Sequence, residues 1–115
     1  MLWHRIGCIG ACTGVLIDAF GGHGLRSKPN ITPRDIEVWQ TAARYQMVHS
    51  VAIIIASALY RGSDATNYPA ILFSIGTLFF SGSLYALVLT GVKRLGIITP
   101  IGGLLMAGGW FAMAF

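Results

Sequence analysis

Charged residues fall in short clusters along this chain and leave two long stretches with none, 65–92 and 95–115. These stretches hold 28 and 21 residues. Each exceeds the roughly 20 residues that carry a helix across a hydrocarbon core. Two shorter apolar stretches, 6–17 (continuing past Asp18 to about Gly22) and 45–60, complete the pattern. It predicts an all-α membrane protein, a bundle of four transmembrane helices in one domain, at about 3–22, 33–60, 69–91 and 95–115.

Local signals place the helix ends. Gly21, Gly22 and Gly24 surround His23, which predicts a left-handed glycine cap on helix 1. Thr32, Pro33 and Asp35 have the spacing of a capping box with proline in the first turn. Helix 2 is then 28 residues if it runs to Tyr60. That is about 42 Å at 1.5 Å per residue, longer than the roughly 30 Å core. Its first turns are expected in the interface, with Trp39 and Tyr45 in an aromatic belt. Pro69 opens helix 3, which ends near Gly91, and Pro100 either kinks helix 4 or begins it with Thr99 as cap. Gly10 and Gly14 form a small-xxx-small pair that reaches Asp18 four residues on, and Gly102 and Gly103 supply a packing face in helix 4. Cys8 and Cys12, one turn apart, read as small packing residues.

Composition agrees with a lipid environment. Of the 115 residues, 55% are hydrophobic and only 10% charged, against roughly 25% charged in a soluble domain. The net charge of +4 comes from scattered loop residues and does not suggest nucleic acid. Arg26, Lys28, Arg34, Lys93 and Arg94 are expected to meet anionic lipid headgroups, such as cardiolipin. With four spans, Arg5 and Arg61 lie on one side, and Arg26, Lys28, Arg34, Arg44, Lys93 and Arg94 on the other. This asymmetry predicts that the 1–2 and 3–4 loops face the cytoplasm or matrix, with both termini outside.

Placed by depth, Asp18, Arg44, His49, Ser81, Tyr85 and Thr99 form a polar layer in the basic half of the membrane. The other half offers Ser57, Thr77 and the cysteines. Because a lone carboxylate in lipid is costly, Asp18 is expected to pair with Arg44 or His49, with Tyr85 or Thr99 as further partners. The layer reads first as a clamp holding helices in register, and after that as an ion relay or a haem site using His49 or His23. Catalytic motifs do not emerge. The 21–24 Gly-Gly-His-Gly run lacks the Lys-Ser/Thr of a phosphate loop, and no metal-spaced cluster or nucleophile triad is evident.

Four ordered segments carry a resemblance: Ala19-Phe20-Gly21-Gly22-His23-Gly24-Leu25, Trp39-Gln40-Thr41-Ala42-Ala43-Arg44-Tyr45-Gln46-Met47-Val48-His49, Phe80-Ser81-Gly82-Ser83-Leu84-Tyr85, and Leu95-Gly96-Ile97-Ile98-Thr99-Pro100-Ile101-Gly102-Gly103. Together they resemble the transmembrane protein 256 family, also called domain of unknown function 423. Its members are small four-helix membrane proteins of bacteria and mitochondria. Asp18 and Gly22 depart from that pattern, where small residues such as Gly and Ala are expected. The resemblance implies a fold and a membrane location, but no reaction and no cofactor. The resulting expectation is a non-catalytic subunit that packs into, or helps assemble, a larger respiratory-type complex. The mitochondrial inner membrane is preferred and the bacterial plasma membrane is second. A small transporter or channel around Asp18, Arg44 and His49 is the first alternative, and a haem-binding electron carrier the second.

Overall fold

A computed structural model describes residues 2–60 and 62–115. Arg61, counted above on the less basic side, lies outside the described residues. Four α-helices make the fold: α1 (Leu2–Gly22), α2 (Pro33–Leu59), α3 (Tyr68–Thr90) and α4 (Ile98–Ala114). Short 3-10 turns at Asp64–Thr66 and Lys93–Ile97 precede α3 and α4. All four helical segments are long and apolar enough to cross a membrane, the last counted as Lys93–Ala114.

Several helix ends follow the sequence. Thr32 accepts from the Asp35 N–H at 3.1 Å, and the Asp35 carboxylate accepts from the Thr32 N–H at 3.1 Å, closing the capping box. Gly91 ends α3 at φ 73°, where a side chain would be strained. Helix α1 ends differently from expectation. Its glycines do not adopt the left-handed form; that conformation is taken by Asn30, at φ 67°. The chain instead winds on through turns, with the Leu25 N–H donating to Phe20 O at 2.9 Å. This buries Leu25 completely beside Ile36, Trp39 and Val88. Pro100 sits in the first turn of α4, where its missing N–H costs nothing. Thr99 is not the cap.

Helices α2 and α3 pack together at the centre, with α1 against α2 and α4 against α3. Glycines set the closest approaches. On α1 the buried residues are Gly7, Gly14 and Gly21. Seven residues are nearly two whole turns, so this stripe stays on α2. Each four-residue step instead rotates about 40°, so two steps from Gly10 carry Asp18 off the contact. The predicted Gly10–Gly14–Asp18 face is corrected accordingly: Gly10 and Gly14 meet α2, while Asp18 is exposed. On α4, a Cβ at Gly102 would lie 2.6 Å from Gly76 O and 2.9 Å from Phe79 C, a backbone-to-backbone crossing. Gly103 makes only ordinary contact, 3.8 Å from Phe80 Cδ2.

Two further expectations change. Trp39 does not belong to an aromatic belt. It is 4% exposed, between Phe20 and Tyr85 with centroids at 5.7 and 4.8 Å. Cys8 and Cys12 are free and exposed on α1, and Cys8 Sγ lies 3.8 Å from His4 Nε2, one turn away on the same helix.

Candidate functional site

The buried face of α2 begins with the spacing of its sequence. Trp39, Ala42, Ala43, Gln46, His49, Ser50, Ile53 and Ala56 are all buried and recur at three- and four-residue steps. Small residues on this face let α1 and α3 come close, and three polar side chains sit among them. Polar groups facing protein rather than lipid must find partners there.

Gln46 is the hub of a seam joining three helices. Its Nε2 donates to Gly10 O and to Thr13 Oγ1 on α1, each at 2.8 Å. Its Oε1 accepts from the Tyr85 hydroxyl on α3 at 2.7 Å. Both amide hydrogens and one acceptor site are therefore used. One turn towards the basic face, Ser81 donates to Ala42 O at 2.7 Å, tying α3 to α2. Further along, Trp39 Nε1 donates to Ile17 O at 2.8 Å, tying α2 to α1.

His49 joins α2 to α4. Trp110 Nε1 donates to His49 Nε2 at 3.1 Å, and His49 Nδ1 lies 2.8 Å from Tyr45 O. An indole N–H can only donate, so Nε2 is the acceptor and Nδ1 carries the proton given to the carbonyl. The ring is a neutral imidazole with both nitrogens engaged. It stacks on Tyr45 at 5.9 Å, with Phe73 and Trp110 at 5.7 and 5.9 Å between ring centroids. Iron at His49 would have to displace one of these bonds. His23, the other haem candidate, is exposed just past the end of α1.

The expected Asp18 clamp is not formed. Asp18 makes no hydrogen bond or ion pair with any described residue. It borders an open groove shared with Gln40, Ala43, Arg44 and Met47, and both Asp18 and Arg44 are exposed. The reason is the α1 rotation described above, which leaves residue 18 at the exposed rim of the α1–α2 contact. The other expected partners are engaged elsewhere: Tyr85 with Gln46, and Thr99 with Ser83, 2.6 Å between hydroxyls. Of the predicted layer, His49, Ser81, Tyr85 and Thr99 do join helices. Asp18 and Arg44 do not.

Arg26, Lys28, Arg34, Lys93 and Arg94 are all exposed. Arg34 pairs with Glu37 at 3.3 Å, and Lys28 and Lys93 border one open groove with Asn30.

Sequence reasoning missed Gln46, Ser50 and Trp110. The signal was present for Gln46 and Ser50, which share a face with Trp39, Ala42, Ala43 and His49. Trp110 gave no signal, because its partner His49 lies 61 residues away on another helix.

Comparison with known proteins places this chain among proteins named as membrane proteins. The profile of a family described as "Protein of unknown function (DUF423)" matches residues 17–103. A UPF0382 membrane protein of Staphylococcus aureus is 42% identical over 109 residues, covering 94% of this chain and 88% of that protein. One from Staphylococcus haemolyticus is 39% identical over 109 residues, with the same coverage. The UPF0382 membrane protein YwdK of Bacillus subtilis is 35% identical over 108 residues, covering 91% and 86%. No solved structure matches. These relatives are bacterial, so the preference for a mitochondrial membrane finds no support and the bacterial alternative fits.

Proposed function

This chain belongs to the DUF423 family, and from that premise we propose that it is a non-catalytic subunit of a larger complex in the bacterial plasma membrane. The observation that carries the reading is where the intramembrane donors go. Trp39, Gln46, Ser81, Tyr85 and Trp110 each spend their polar hydrogens on another helix. Such a seam fixes helix positions and leaves these groups uncommitted to chemistry. The shape supports a packing role. The molecule measures 49 × 26 × 18 Å, a flattened body. Helices α1 and α4 bury little beyond glycine, which leaves broad apolar faces outward.

The six basic residues on the side of the 1–2 and 3–4 loops support a cytoplasmic position for that side, with both termini outside. Arg26, Lys28, Arg34, Lys93 and Arg94 would then meet the anionic inner leaflet, cardiolipin among its lipids. A respiratory-type complex is the first partner to test. The experiment is extraction of the tagged chain, at native expression, into mild detergent, followed by native electrophoresis. Co-migration with a complex many times the 12.3 kDa of the chain is expected. A free small species would overturn the subunit reading. Ion flux through vesicles of the purified chain would move the assignment to transport.

A further inference from the structure

Among the described residues, one buried polar side chain is left out of the seam. Ser50 is 2% exposed, yet its hydroxyl bonds to no described residue. A serine within a helix ordinarily returns its proton to the carbonyl four residues back, as Ser74 does to Ala70 O at 2.8 Å. The Ser50 oxygen instead lies against the bare Cα of Gly10, where it lines a cleft between α1 and α3 with α2 as its floor. The cleft holds about 270 Å³, slightly under the roughly 300–1,000 Å³ of pockets that enclose whole drug-sized ligands. It suits a slender chain and a small head.

The cleft has a defined hydrogen-bonding character. Ser74, Thr77, Ser81 and Tyr85 line it, but their protons are already given to Ala70 O, Met106 Sδ, Ala42 O and Gln46 Oε1. Their oxygens keep acceptor capacity. Both Gln46 amide hydrogens are spent on α1. Ser50 alone brings a free proton. One donor among several acceptors suits a group that both donates and accepts, namely a hydroxyl. Phosphate or carboxylate would face acceptor oxygens with too few donors. Ile6, Ile53 and Leu78 provide an apolar wall for a chain and make a cleft full of water costly.

Depth narrows the ligand further. Ser50 lies nine residues before Leu59, the end of α2, which is about 14 Å along the helix. That is near the middle of a roughly 30 Å hydrocarbon core. Phospholipid headgroups stay at the surface. We propose that the α1–α3 cleft binds a neutral bilayer lipid with one hydroxyl on an apolar chain, an isoprenoid or fatty alcohol, and that Ser50 recognises the hydroxyl. The ligand enters sideways from the membrane.

The test uses the full chain in phosphatidylethanolamine–phosphatidylglycerol vesicles and two photoreactive probes. One is a diazirine-bearing hexadecanol, the other the matching hexadecane without the hydroxyl. Cross-linked residues are read by peptide mass spectrometry. The alcohol should label cleft residues about fivefold more than the alkane, the ratio that one neutral hydrogen bond supplies. Ser50→Ala should bring that ratio to about one. Gly82→Leu, at a cleft residue whose added Cβ meets nothing closer than Leu78 Cδ1 at 4.0 Å, should block labelling by both probes while the melting curve shows a folded protein. Equal labelling of the wild type by the two probes, labelling confined to other surfaces, or a ratio that survives Ser50→Ala would overturn the proposal.

Discussion

Replacing Gln46 with leucine removes the hub and keeps a side chain of similar length. Three hydrogen bonds disappear: two from Nε2 to α1 and one from Tyr85 to Oε1. Interhelical hydrogen bonds in membranes average about 0.6 kcal/mol and reach about 1.7. Three of them set an expected loss of about 2 kcal/mol and a ceiling of about 5 kcal/mol. The loss is not shared evenly. Thr13 still shares its one hydroxyl proton between Ile9 O at 2.9 Å and Gly10 O at 3.1 Å. Tyr85 loses its acceptor outright. Tyr85→Phe alone removes one bond and is expected to cost about 0.6 kcal/mol. In the Gln46→Leu background the same change removes a stranded hydroxyl and becomes neutral or favourable. The double-mutant cycle should therefore give a coupling of about 1 kcal/mol. Reversible unfolding in mixed detergent micelles, followed by circular dichroism, measures all four proteins. A Gln46→Leu loss no larger than that of Tyr85→Phe, with the two simply adding, would refute the idea of a hub.

The remaining predictions use the same unfolding assay. Gly102→Ala is expected to cost about 1–3 kcal/mol, because its methyl would meet α3 backbone at Gly76 and Phe79; Gly103→Ala, with a nearest neighbour at 3.8 Å, should cost nothing, and equal losses would contradict the crossing. Asp18→Asn should leave the stability within about 0.5 kcal/mol of wild type, since the exposed carboxylate makes no hydrogen bond or ion pair with a described residue; a large loss would restore the ion-pair clamp. Trp110→Phe keeps the ring but withdraws the donor from His49 Nε2, so a loss of about 0.6–1.7 kcal/mol should appear, and should vanish when His49 is already phenylalanine.

How much of this was legible depends on the kind of signal. Helix existence was plain, because lipid demands long uncharged stretches and backbone satisfaction within each helix. The capping box at Thr32 and the glycine at 91 were local motifs and appeared where expected. The end of α1 was misread because the deciding contact is distant: Leu25 packs beside Val88 in α3. The rotation of α1 was misread for a related reason. Gly10 and Gly14 fit a four-residue stripe as well as Gly7, Gly14 and Gly21 fit a seven-residue one. Only packing against Trp39, Met47 and Ile54 on α2 selects between them.

The polar layer shows why a search for complementary side chains fails in such a protein. Asp18 and Arg44 carry opposite charges at similar depth, which makes them the obvious pair in the sequence. Yet the strongest ties join one side chain to an anonymous carbonyl: Trp39 to Ile17 O, Gln46 to Gly10 O and Ser81 to Ala42 O. In lipid, each helical carbonyl already accepts one backbone hydrogen and retains a second lone pair. A donor on a neighbouring helix can use that lone pair if the two backbones approach closely enough. Gly10 and Ala42 permit the approach and present the acceptor at the same residue. The smallest residues are thus half of the polar network, although nothing in their chemistry announces it. On this logic, glycine spacing on one helix and amide, indole or hydroxyl donors on the next form a single signal. Applied to α2, it selects Trp39 and Gln46 before Arg44, and leaves Ser50 as the donor for which the bundle supplies no carbonyl.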